Sequence, residues 1–238
     1  MERRTFVKLG TGAFGAALFP GTVLAELSSD SDPQLTRLTS QQLTQINIPF
    51  PSQTVTPDNG ASVTFTLNPR IARRFADKVY VLFDTEKRLR VFDLQGSQLS
   101  TISVADSIGT VRDFYVTDNG VVYLLSSTLH QVVSVSSSGD IISRLGEFGW
   151  ERPEQLNGPA SLTVDAEGKL HILNTGTNTI KVFNDSGAFL FEYGQNRWGR
   201  RRSYQFLDGK QVISVYEHDL SKVGWQFNLQ GQLVNSFI

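Results

Sequence analysis

The chain contains no cysteine. That excludes disulfides, thiolate metal sites, a cysteine nucleophile and the acylated cysteine of a lipoprotein. Methionine occurs once, as the initiator, so a Met-rich adaptable binding surface is excluded too. Three histidines in 238 residues leave little material for a zinc site, which needs three or four convergent ligands. Charge is sparse: Asp, Glu, Lys and Arg make up 19% of the chain and nearly cancel, to a formal net charge of -1. A near-neutral body excludes wholesale polyanion binding but leaves room for a local basic patch. The weakly hydrophobic run Leu9–Leu24 is broken by Pro20-Gly21 and falls short of the ~20 apolar residues that span a bilayer. A Gly-x-Ser-x-Gly elbow and a Gly-rich phosphate loop are also missing.

What the chain has is repetition. Between residues 158 and 194 four short apolar runs, Ser161–Val164, Leu170–Leu173, Ile180–Phe183 and Phe189–Tyr193, are separated by three turn signals: Glu167-Gly168, Asn174–Asn178 and Asp185-Ser186-Gly187. Apolar and polar residues alternate within most runs, as half-buried strands require, and glycine at each turn supplies the positive φ of tight hairpins. The stretch is predicted to be a four-stranded antiparallel meander. Its last turn glycine recurs at Gly96, Gly139, Gly187 and Gly231, at intervals of 43, 48 and 44 residues. Four positions before each lies a large apolar residue: Phe92, Val135, Phe183 and Phe227. Twelve before the first three of these stand Tyr80, Tyr123 and His171. Self-similarity at this period marks the blades of a β-propeller.

The run NGPASLTVDAEGKLHILNTGTNTIKVFNDSG from Asn157, with matching stretches at about 68–103 and 110–146 and a weaker one at 203–238, resembles the NHL-repeat family. The inter-blade segment Gly149–Pro159 is similar to that family's connecting loop. The resemblance covers residues 68–238 and implies an all-β propeller; it says little about function, because site chemistry is grafted onto such scaffolds. Residues 36–67 hold candidate strands Leu43–Ile48 and Val63–Leu67 around a turn at Pro57–Gly60, about one more blade's worth. About five four-stranded antiparallel blades are therefore expected over 36–238, with six possible.

The N-terminus reads as an address. Arg3-Arg4-Thr5-Phe6-Val7-Lys8 resembles the twin-arginine (Tat) export motif, with Glu2 where that family prefers Ser or Thr. Val23-Leu24-Ala25 offers small residues to a signal peptidase. Residues 1–25 are expected to be a signal peptide and the polar stretch 26–35 a flexible linker, with a periplasmic or secreted destination.

Candidate sites are few. His171 shares its repeat position with Tyr80 and Tyr123, which points to a packing residue with a polar tip. His130 and His218 fall in hairpin turns of different blades and read as solvated tips; no metal or other cofactor is expected. First strands, at 70–75, 113–116, 161–164 and 204–207, hold Asp113 as their single carboxylate. Acid–base or metal-assisted hydrolysis needs at least a carboxylate pair or a carboxylate–His cluster. The most unusual stretch is Gln195–Tyr204, QNRWGRRRSY, where Arg197, Arg200, Arg201 and Arg202 surround Trp198 on an inter-blade loop. Arg forks onto carboxylate, sulfate or phosphate, and Trp stacks on sugars or rings. Arg73, Arg74, Lys87 and Arg88 are expected in other inter-strand segments, extending this patch. The leading expectation is an exported, non-catalytic module whose loop face binds a protein partner or an anionic, glycan-like ligand, and not nucleic acid. A hydrolase or lyase of the six-bladed type and an accessory partner of an exported redox complex are the alternatives.

Overall fold

The computed structural model describes residues 5–9, 22–27, 43–56, 58, 60, 62–195, 205–208, 212–217 and 224–237. Among them every regular element except one 3-10 turn (Asp106–Ile108) is a β-strand. The first sheet holds β1 (Thr5–Leu9), β2 (Thr22–Leu27) and β3 (Leu43–Asn47), in that order and antiparallel. β4 (Ser52–Val55) and β5 (Val63–Thr66) form a separate two-stranded hairpin. Four four-stranded antiparallel sheets follow, each in chain order. The second sheet runs β6 (Ile71–Phe75), β7 (Lys78–Phe83), β8 (Arg88–Phe92), β9 (Gln98–Ser103). The third runs β10 (Val111–Val116), β11 (Val122–Ser126), β12 (Gln131–Val135), β13 (Ile141–Leu145). The fourth runs β14 (Pro159–Val164), β15 (Leu170–Asn174), β16 (Thr179–Phe183), β17 (Phe189–Tyr193). The fifth runs β18 (Gln205–Asp208), β19 (Ile213–Glu217), β20 (Gly224–Phe227), β21 (Leu233–Phe237). These meanders are the blades of a β-propeller. Residues 1–104 and 105–238 are two compact units.

The described strands of 36–67 do not fall in one sheet. β3 joins the first sheet through β2, while among the described strands β4 and β5 pair only with each other. β1 and β2 lie in the stretch whose sequence resembles an export signal.

One turn device repeats through the second to fifth sheets. Gly96, Gly139, Gly187 and Gly231 have φ of 88°, 96°, 88° and 78°. Each glycine N–H donates to the carbonyl three residues back, on Asp93, Ser136, Asn184 and Asn228. Those four side chains in turn accept from backbone N–H groups across the turn, as Asp93 does from Gln95 and Ser97. The ladder slips one residue beside every turn, at Phe92, Val135, Phe183 and Phe227. A tight turn closed by a left-handed glycine and a bulge is a standard hairpin solution. The glycines also touch the preceding sheet. A Cβ on Gly187 would lie 3.2 Å from Leu145, and one on Gly231 2.7 Å from Tyr193. A Cβ on Gly96 would lie 2.3 Å from the Asn47 carbonyl oxygen.

Phe92, Val135, Phe183 and Phe227 are all buried, as the repeat register requires. In the second unit Ile180, Val182 and Tyr193 of the fourth sheet pack against Ile213, Val215 and Phe227 of the fifth. In the first unit Ile46, Ile48 and Leu67 share a cluster with Val79, Val81, Phe83 and Phe92. The middle strands β12 and β16 are almost wholly buried, whereas β9 and β13 are largely exposed and β17 is mixed, so burial falls towards the outer strands.

Candidate functional site

The fourth sheet carries a buried polar group with no equivalent in the third. His171 on β15 places Nε2 3.0 Å from Asp165 Oδ2 and Nδ1 2.9 Å from the Tyr193 hydroxyl. All three are buried. The positions of Asp165 and Tyr193 are taken by Thr117 and Leu145 one blade earlier, so aspartate and tyrosine arrive together with the histidine. Burial opposes ionisation of Asp165. Hydrogen bonds from His171 and the N–H groups of Lys169 and Glu167, with attraction to the imidazole, outweigh it and hold the carboxyl below its usual range. Burial, reinforced by the Asp165 charge, pushes the Tyr193 phenol well above its ordinary value. His171 is thus the packing residue with a polar tip that its repeat position implies.

Asp113, the carboxylate expected on the first strands, is buried on β10. Its Oδ2 accepts from the Ser161 hydroxyl at 2.5 Å and the Leu162 N–H at 3.0 Å, both on β14. Its Oδ1 accepts from the Phe114 N–H at 2.8 Å. A carboxylate that ties one first strand to the next has its acceptors occupied.

His130 differs from the solvated tip expected of a hairpin turn. Its φ is 53°, its Nδ1 accepts from the Gly158 N–H at 3.1 Å, and its ring stands 4.8 Å from that of Phe148. Burial lowers its pKa, so the neutral imidazole is favoured. His218 and the loop bearing Arg197, Trp198, Arg200, Arg201 and Arg202 lie outside the described residues. Arg73 and Arg74 are not in a connecting segment: they sit within β6, opposite Tyr80 and Val79. Arg88 opens β8, and Lys87 bonds Asp84 at 2.9 Å in the turn before it. Strand pairing thus claims three of the four cations expected to extend the patch.

The feature that sequence reasoning took only for a connector is the segment 147–158 joining the third and fourth sheets. It is locked from within. Leu156 N–H donates to the Glu147 carbonyl at 2.8 Å, and Gly149 N–H to that of Leu156 at 3.1 Å. The Gln155 side-chain oxygen accepts from Glu151 and Arg152 N–H, while its amide donates to the Glu147 carboxylate. Arg152 bonds that carboxylate as well and lies 3.4 Å from Glu154. Lys181, only 3% exposed on β16, donates to the carbonyls of Pro153 and Gln155 at 2.7 and 2.8 Å. Burial lowers the Lys181 pKa, while Glu192 and Glu154 partly restore it. From this fixed segment Phe148 and Trp150 project at 55% and 63% exposure, their rings 5.7 Å apart at 82°. No sequence rule links Lys181 to a loop 26 residues earlier, but Trp150 stands four residues after Gly146 as Trp198 does after Gly194. That spacing was the available signal.

Among the described residues no group of three His, Asp or Glu side chains converges as a metal site would require. No protein-family model and no curated protein matches the chain. Solved structures do. A streptogramin B lyase is similar over 98% of this chain and 68% of its own, with a TM-score of 0.55 at 9% identity. A catalytically inactive variant of the virginiamycin B lyase from Staphylococcus aureus, with quinupristin, is similar over 99% and 70%, with a TM-score of 0.54 at 10% identity. The selenomethionine-substituted form of that lyase gives 0.53 at 11% identity, over 98% and 84%. Likeness at this identity establishes the propeller fold alone.

Proposed function

We propose that this chain is an exported, non-catalytic β-propeller module that presents its inter-blade loops to a protein partner or to an anionic, glycan-like ligand. One observation carries this reading. The segment 147–158 is held by Gln155, Arg152 and the buried Lys181, yet leaves Phe148 and Trp150 in solvent. A soluble scaffold gains nothing from fixing two large aromatics in water; a binding surface does, because ordering costs are met before the partner arrives. The groups best suited to acid–base chemistry, Asp113, Asp165 and His171, are buried and bonded to protein, which supports binding over turnover.

Arg197, Trp198 and Arg200–Arg202, on the next inter-blade loop in the sequence, are proposed to form a second, basic recognition site. Arg200–Arg202→Ser tests this. Wild-type protein used as bait in periplasmic extract is expected to retain a specific partner or glycan that the triple variant loses. Retention should weaken with salt, since exposed charges are screened beyond about 10 Å at 0.1 M. The two melting temperatures should nearly coincide, as surface charges contribute ~0–1 kcal/mol each. Identical retention by both baits would remove the basic loop from the proposal; saturable turnover of a small substrate would overturn the non-catalytic reading.

A further inference from the structure

Trp150 is the most exposed large apolar side chain among the described residues. Phe148 stands against it edge to face, and His130 backs Phe148 in turn. The charges around the pair are unbalanced. Within the segment 147–158, Glu147, Glu151 and Glu154 outnumber the one cation, Arg152, which is already engaged by Glu147 and Glu154. Lys181 spends its ammonium on the backbone carbonyls of Pro153 and Gln155. The Glu151 carboxylate, adjacent to Trp150, has no ion-pair partner among the described residues. An aromatic face flanked by surplus carboxylate attracts cations and repels anions, and indole is the strongest π-donor for that purpose. Neither of two clefts among the described residues, one lined by Tyr123, Ser134 and Gly187, the other by Ser52, Glu86 and Arg88, reaches this segment. Small ligands need concave enclosure, whereas a side chain projecting from another polypeptide does not.

We infer that Trp150 and Glu151, supported by Phe148, receive a Lys or Arg side chain of a partner polypeptide. The inference rests on the binding-module reading and names the chemistry that one of its loops selects. The cation lies on the indole face while Glu151 accepts its N–H groups. The internal locking of the segment makes this contact without rearrangement.

The test follows the indole N–H resonances of the folded, full chain by nitrogen-15 NMR, with Trp150→Phe assigning the Trp150 signal. The probes are the capped peptides Gly-Arg-Gly-Arg-Gly, Gly-Gln-Gly-Gln-Gly and Gly-Glu-Gly-Glu-Gly. The Arg peptide is expected to shift the Trp150 resonance saturably while the other two leave it in place. Glu151→Gln should weaken the response about three- to tenfold, and roughly 0.5 M salt should suppress it. Both positions are exposed, so dispersed spectra should show that the variants fold. An unmoved Trp150 signal with the Arg peptide, or an equal shift with the Gln peptide, overturns the inference. If extract experiments still yield a partner, only this loop's specificity is wrong; if no partner is retained either, the binding-module reading falls with it.

Discussion

Asp165, His171 and Tyr193 replace Thr, Tyr and Leu at once, and so convert a packing position into a hydrogen-bonded chain. His171 was legible as a packing residue because Tyr80 and Tyr123 share its place; its partners were not, since only the folded meander brings residues 165, 171 and 193 together. The chain has a pH signature. Asp165 ionises more readily folded than unfolded, so its contribution is fully present above the ordinary aspartate pKa and lost as pH falls through the lower folded value. Denaturant melts at stepped pH should show stability falling below about pH 4. Asp165→Asn should be less stable at neutral pH and show a flatter acid limb. Phe183, buried against Phe189 at 5.7 Å, tests the register itself. Phe183→Ala should cost about 3–5 kcal/mol by equilibrium melt, as truncation of a buried phenylalanine does. A loss under about 1 kcal/mol would contradict its place in the core.

At the scale of elements, strands and turns were largely written in the repeat. Every turn glycine used to set the register has positive φ, and every apolar residue four before it is buried. The fifth sheet shows where pattern fails. The apolar run around Val212–Tyr216 fits more than one strand register, and β19 takes Ile213–Glu217. The 147–158 segment was legible only as a connector, since the bonds that lock it form only once it is folded and one anchor, Lys181, lies far along the chain. Lys181→Met should leave the carbonyls of Pro153 and Gln155 without their donor, at about 0.5–1.5 kcal/mol for each hydrogen bond lost. The propeller should still fold, while chymotrypsin cleavage after Trp150 accelerates and amide exchange over 147–157 rises. Unchanged cleavage and exchange would mean that the Gln155 network alone holds the loop.

For the whole molecule, the propeller class followed from a period of 43 to 48 residues, whereas the partition of its N-terminal part did not. Residues 36–67 have one blade's worth of strand, but nothing in composition tells a blade from a hairpin plus a neighbour's strand. Their role in the core is clear, because Ile46, Ile48 and Leu67 pack with Val79, Phe83 and Phe92. Deleting residues 26–67 is therefore expected to abolish cooperative folding; a monomeric 68–238 fragment with a sharp thermal transition would show the arm to be dispensable. The glycine turns carry a further consequence. In the second unit Gly187 meets Leu145 and Gly231 meets Tyr193, each glycine resting on the last strand of the sheet before it. Every such joint is directional, the turn of one repeat reading the outer strand of its predecessor. A duplication or loss of one whole repeat preserves that grammar, whereas a breakpoint inside a repeat leaves a turn facing the wrong strand. Repeat number in such chains can thus drift over generations in steps of one blade, with tolerance for amino-acid change set at each joint by the pair of residues that meet there.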